Sequence, residues 1–192
     1  MTNRPLPTKD RLIRVAAELF RTRGYHGVGL SELLTAAKAP KGSLYHHFPN
    51  GKSDLAIAAA TWSSDGMLRI IAESYEPADS FRDGTTTLCY KLAKLFDLSG
   101  RWDGCPISST LYAGPENAIF LAHSHHLFEG WIAEVASYAE QFGQDPETAR
   151  RNSEHLFMLI QGGWQLARAR HESDILRQLP QHLFGGPMEA TA

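Results

Sequence analysis

The sequence is short of cysteine, of alternating apolar and polar residues, and of long hydrophobic runs. Each shortage removes a class of protein. Two cysteines in 192 residues, Cys89 and Cys105, cannot build a disulfide framework. They fit a compartment that keeps thiols reduced, and the expected location is the cytoplasm. No stretch approaches the roughly 18 apolar residues of a membrane span, so no membrane partner is expected. The opening "MTNRPLPTKD" lacks the apolar region of a secretory signal. Scarce period-2 alternation argues against a β-sandwich or barrel. There is no Gly-rich phosphate loop, no HExxH and no GxSxG. No catalytic residue, cofactor or enzyme activity is therefore expected.

What is present suits an ordinary folded chain. Hydrophobic residues make up 43% and charged residues 21%, enough apolar surface for a real core. The formal net charge of −2 conceals an asymmetry. Residues 1–52 carry +6 and the other 140 carry −8. A basic head on an acidic body suggests that the head meets a polyanion.

Helical periodicity recurs along the whole chain. A first helix is expected from an N-cap at Thr8, through "KDRLIRVAAELFRTR", to Gly24. Ser31 is read as the N-cap of a short helix "ELLTAA", which "KAP" ends because Pro40 disfavours helical geometry at Ala39. A second short helix covers about Lys41 to His47. Asn50 is read as the cap of a long helix ending near Tyr75. Further helices are expected over roughly 79–98, 107–113, from Pro115 through "QFG", from Pro146 with Asp145 as N-cap, and over 172–183. The expected fold is all-α, with about nine helices. A domain of residues 1–52 precedes one of residues 53–192.

Two short helices after a longer one form a helix-turn-helix arrangement, whose second helix enters the DNA major groove. At about 100° per residue, Leu44 and Phe48 of "KGSLYHHF" share the inward face. His46 points away from it, Gly42 and Ser43 lie on the outer half, and Tyr45 and His47 flank the seam. Lys41 lies in the first turn, with a stem long enough to reach outward. Lys52 places a cation beside the N-terminus of the next helix, a position that favours phosphate.

The stretch "LFRTRGYHGVGLSELLTAAKAPKGSLYHHFPNGKSDL" resembles the N-terminal domain of TetR-family transcriptional repressors. The core "KGSLYHHF", closely followed by a lysine, carries the likeness. One residue more than the common pattern separates Phe48 from Lys52. That insertion, with the "GCP" at Gly104–Pro106, is similar to the branch that regulates multidrug export. The resemblance implies that Lys41, Gly42 and Ser43 approach bases and that Tyr45, His46 and His47 hold phosphates. It implies that Ser31 presents its helix N-terminus to a phosphate. It also implies a homodimer on a palindromic double-stranded operator, released by a small-molecule inducer, lipophilic or aromatic, bound in the second domain. A ligand-binding helical module without DNA control is the alternative, as is a thiol- or metal-responsive regulator.

Beyond the head, most aromatic residues are ordinary core, but a Trp- and Phe-rich helical domain also suits an apolar cavity. Trp102, Phe128, Trp131 and Gln161 are the candidates to line one. Gly162 and Gly163 in mid-helix each cost about 1 kcal/mol against alanine, which close helix approach would explain. With Leu159, Leu166, Ala167, Ile175 and Leu179 they suggest a dimer bundle. Room for a ligand or packing within one chain is the other reading. Adjacent His46 and His47 do not share a face and are not a metal pair. His123 and His126 share one, and a third ligand such as His155 would be needed. Cys89 and Cys105 are either buried small residues or thiol sensors.

Overall fold

The computed structural model describes residues 6–100, 104–112 and 118–185. Among these residues lie nine helices and no strand. They are α1 (Thr8–Arg23), α2 (Leu30–Ala36), α3 (Lys41–His47), α4 (Lys52–Tyr75), α5 (Phe81–Leu98), α6 (Pro106–Leu111), α7 (Ala118–Gln141), α8 (Pro146–Arg170) and α9 (Asp174–Phe184). The described chain packs as two units. One takes Met1–Gly66 and Gly104–Leu127, the other Met67–Asp103 and Phe128–Ala192. No described helix is long and apolar enough to cross a membrane.

In the first unit α1 buries Leu12, Ala16, Ala17 and Phe20, a stripe at helical spacing. Leu33 of α2, Leu44 of α3, Phe48, and Leu55, Ala56 and Ala59 of α4 are buried in the same unit. The start of α6 is tied to the end of α1 by backbone. The Gly104 amide donates to the Arg21 carbonyl at 3.3 Å, and the Tyr25 amide to the Ser109 carbonyl at 3.2 Å.

The second unit is built around aromatic rings. Tyr75 stacks with both Phe81 and Tyr138, at centroid distances of 5.7 and 5.3 Å. Its hydroxyl lies 2.8 Å from Thr85 Oγ1, so the one polar atom of this buried ring is satisfied. Burial pushes the Tyr75 phenol well above its ordinary range. Phe96 meets Trp164 edge-on at 5.4 Å, and Trp131 stacks on Phe157 at 5.8 Å. Arg177 of α9 ties that helix to α5 through Asp97 at 3.1 Å.

Several helix starts differ from expectation. Thr8 is the first residue of α1, and Pro7 holds the N-cap. Ser31 is not a cap. Gly29, in extended geometry, is the N-cap, and α2 starts at Leu30, one residue before Ser31, which lies in its first turn. Asn50 does not cap α4 by accepting. Its amide and side-chain NH2 donate instead, to Asp54 at 2.9 and 3.1 Å. Asp145 and Pro146 open α8 as read, with the Asp145 carboxylate accepting from the Thr148 amide at 3.0 Å. That bond holds the Asp145 carboxyl below its ordinary range. Pro115, expected to open α7, lies outside the described residues.

The residues expected at a dimer interface divide. Gly163, Ala167 and Leu179 turn inward and pack α8 on α9 within one chain. A Cβ at Gly163 would lie 3.0 Å from Leu179 Cδ2, so a side chain there would press on the end of that leucine. Ala167 and Leu179 are buried. Leu159 and Ile175 are half-buried. Gly162 faces open space, and Met158 and Leu166 on the same stripe are 65% and 49% exposed.

Gly84 faces a stricter limit. A Cβ there would sit 2.3 Å from Tyr75 Cδ1, a separation no real pair tolerates. Gly84→Ala is therefore expected to destabilise the protein by about 2 kcal/mol or more through overpacking. Urea titration followed by far-UV circular dichroism measures it. An unchanged midpoint would show that the Tyr75 ring yields freely.

Candidate nucleic-acid interface

The seven residues of α3 follow Pro40, an N-cap that lacks an amide to satisfy. Leu44 is fully buried and Phe48 nearly so, and the Phe48 amide closes the helix on the Leu44 carbonyl at 2.7 Å. Those two anchors fix which side of α3 meets solvent. Lys41, Gly42, Tyr45 and His46 are exposed, and Ser43 and His47 are half-buried. Leu44 and Phe48 face inward and Gly42 and His46 outward as the spacing predicts, while Ser43, read on the outer half, is half-buried and Tyr45, read at the seam, is exposed. The rings of His46 and His47 meet edge-on at 4.8 Å. Ser31 is exposed in the first turn of α2.

Gly42 has nothing within 4 Å of where a Cβ would stand. Nothing in the protein requires a glycine there. Tyr45 contrasts with it. Its ring lies against Gly51, whose added Cβ would come 3.2 Å from Tyr45 Cε1. Gly51 itself has φ of +64°, the left-handed region that favours glycine. It closes the turn after α3, its amide donating to the Phe48 carbonyl at 2.8 Å. The stretch "PNG" between Phe48 and Lys52 therefore makes a glycine turn that seats the tyrosine. The Lys41 ammonium stands 6.0 Å from the same ring.

Lys52 is placed differently from expectation. Its ammonium points into the protein and donates to the Tyr25 carbonyl at 2.6 Å. It also lies 4.1 Å from the centre of the Tyr25 ring. Desolvation lowers its pKa, as burial does for a cation. Tyr25 in turn meets Phe120 of α7 edge-on at 5.3 Å. Tyr25 and Gly51 were not singled out from sequence; the one signal was the extra residue before Lys52.

The other candidates separate. Trp131 is wholly buried in its stack, with Phe128 edge-on at 5.2 Å and half-buried. Gln161 is half-buried. Trp102 lies outside the described residues. A surface groove of about 540 Å³ runs along α5 and α9, lined by Thr86, Thr87, Tyr90, Lys91, Lys94 and Arg177. Phe128, Trp131 and Gln161 do not line it. His123 Nε2 lies 2.9 Å from Thr61 Oγ1, and that hydroxyl donates to the Ile57 carbonyl, so the imidazole N–H is the donor to Thr61. Among the described residues no three metal-ligating side chains form a cluster. Cys89 and Cys105 are buried, and burial pushes the Cys89 thiol up to about 12, which leaves little thiolate at neutral pH.

Comparison with known proteins places this geometry. The family model for bacterial regulatory proteins of the tetR family matches residues 12–59. The model for the C-terminal domain of LmrA/YxaF-like transcriptional regulators matches residues 82–182. The chain belongs to the TetR family, among its LmrA/YxaF-like regulators. YxaF, an HTH-type transcriptional regulator of Bacillus subtilis, is 29% identical over 165 residues, 83% of this chain and 84% of its own. LmrA of the same organism is 27% identical over 157 residues, 81% of this chain and 84% of its own. A TetR regulator of Legionella pneumophila shares the fold, with a TM-score of 0.78 at 21% identity, over 95% of this chain and 97% of that one. A cysteine mutant of the TetR-family regulator CifR, in complex with a 26-bp operator duplex, gives 0.77 at 20% identity, over 96% of this chain and 100% of that one.

This TetR-family chain is thus a DNA-binding transcriptional regulator, and its family is one of regulators rather than enzymes. The family acts as dimers and binds small-molecule ligands. Gly51→Ala is expected to cost about 1 kcal/mol from the left-handed backbone alone. It should also displace the Tyr45 ring. Thermal melting reads the first effect and the Tyr45 ring-proton shifts the second. Unmoved Tyr45 resonances would remove Gly51 as its seat.

Proposed function

We propose that this regulator is a cytoplasmic homodimeric repressor, without catalytic activity, that binds a palindromic operator and leaves it when a small lipophilic or aromatic ligand binds. Residues 1–52 are its DNA-binding domain and residues 53–192 its ligand-binding and dimerisation domain. The observation that carries the reading is the outer face of α3. It offers hydroxyl, imidazole and ammonium groups around Gly42, a position with open space above it.

Lys41, Gly42 and Ser43 approach base edges, while Tyr45, His46 and His47 hold phosphates. Ser31 brings the first turn of α2 to a phosphate. Lys52 reaches one only by leaving the Tyr25 carbonyl, and its role here is to brace the start of α4. In the second domain Phe128, Trp131 and Gln161 border the ligand, and Trp102 is the fourth residue assigned to it. The exposed stripe of Met158, Gly162 and Leu166, with Leu159 and Ile175, meets its counterpart in the second subunit. A ligand-binding module without DNA control is not favoured, because the outward groups of α3 are intact.

Selection from a random duplex pool should return a palindrome, and affinity for it should fall steeply with salt, with a log–log slope of about −0.9 per phosphate contacted. Lys41→Ala and Tyr45→Ala are each expected to weaken binding roughly tenfold while the melting temperature holds. Gel-shift titrations decide; parental affinity in both variants would remove the α3 assignment. Leu166→Asp should turn the dimer into a monomer by placing a charge in an apolar contact. A dimer persisting in sedimentation would move the interface elsewhere.

A further inference from the structure

We propose that Arg11, on α1, is the positioning residue of the helix-turn-helix. Its guanidinium grips the turn between α2 and α3 and so sets the pose in which α3 meets DNA. The proposal rests on the reading of α3 as the DNA-contacting helix.

Arg11 Nε donates to the Ala37 carbonyl at 3.2 Å, and Nη2 to the Lys38 carbonyl at 3.3 Å. One edge of the fork thus spans two consecutive carbonyls of the turn. Nη1 donates to the Leu6 carbonyl at 2.8 Å, and Nη2 also to Thr8 Oγ1 at 3.3 Å. Four of the five N–H donors of a guanidinium are then committed to the protein's own oxygens.

The turn needs such a grip. Ala37 ends α2, and carbonyls at a helix C-terminus lack partners within the helix. Lys38 is left-handed at φ 47°, uncommon for a residue with a side chain. The backbone bonds of the turn close onto one helix or the other. The Lys38 and Ala39 amides return to the Thr35 and Leu34 carbonyls at 3.1 and 3.0 Å, while the Ser43 amide closes on Pro40 at 3.0 Å. Arg11 reaches across from α1 to the carbonyls at the joint itself. Its cation also suits the negative end of α2. A lysine supplies the charge but not the planar fork, so it cannot hold both carbonyls in one fixed plane.

This role is separable from direct DNA contact. A guanidinium committed to carbonyls neutralises no phosphate, so its removal should change which sequence is preferred and not how salt acts. The full-length parent and its Arg11→Lys, Arg11→Gln and Arg11→Ala variants are titrated over a salt series. The probes are the duplex that the parent selects from a random pool and an unrelated duplex. Arg11→Ala and Arg11→Gln are expected to lose about tenfold in affinity for the selected duplex. Affinity for the unrelated duplex, the salt slope and the far-UV spectrum should hold. Arg11→Lys should fall between these and the parent. Undiminished discrimination in Arg11→Gln overturns the proposal. So does a slope shallower by about one contact, which would make Arg11 a phosphate ligand. If Arg11→Ala fails to fold, a folded Arg11→Lys with reduced discrimination supports the proposal, and one matching the parent overturns it. A parent that selects no sequence fails the DNA reading itself, and the Arg11 assignment with it.

Discussion

A seven-residue helix has no stability of its own in water, because nucleation costs more than so few hydrogen bonds return. α3 exists because Leu44 and Phe48 are buried in the first unit, beside the α1 stripe. That single constraint decides the rest of the head. It fixes the rotation of α3, and with it which residues face outward. It requires a sharp joint behind α3, which a left-handed Lys38 and the Arg11 fork provide. It also requires a turn ahead of α3, which Gly51 closes.

The second unit follows a different rule, close approach around rings. Tyr75 can stack on two neighbours and satisfy its hydroxyl because Gly84 leaves it room. Gly163 lets Leu179 in by the same means. Both glycines lie inside helices, where they lower helix propensity. Closer contact offsets the loss, since interiors pack as densely as organic crystals.

Much of this was legible in the sequence because it depends on local spacing. The bounds of α3, its two anchors, and the Asp145–Pro146 start of α8 are set by residues within one or two turns of each other. Lys52 was not legible as an inward residue. Its acceptor is a carbonyl 27 positions earlier, and backbone oxygens leave no mark in composition. Arg11 is hidden in the same way, its partners lying 26 and 27 residues on. Gly162 and Gly163 could be read as an interface pair, but which neighbour each meets depends on where α9 lies. Ser31 was misread because the extended Gly29 allows α2 to begin at Leu30.

The open space over Gly42 has a consequence for how such a protein can change. Two helix turns carry two sets of positions that answer to different demands. Leu44 and Phe48 answer to the fold, while Gly42 and His46 are free of most of its packing limits. The outer set can therefore drift while the inner set stays fixed. New operator preferences can be tried on an unaltered frame, one residue at a time, without passing through an unfolded intermediate sequence.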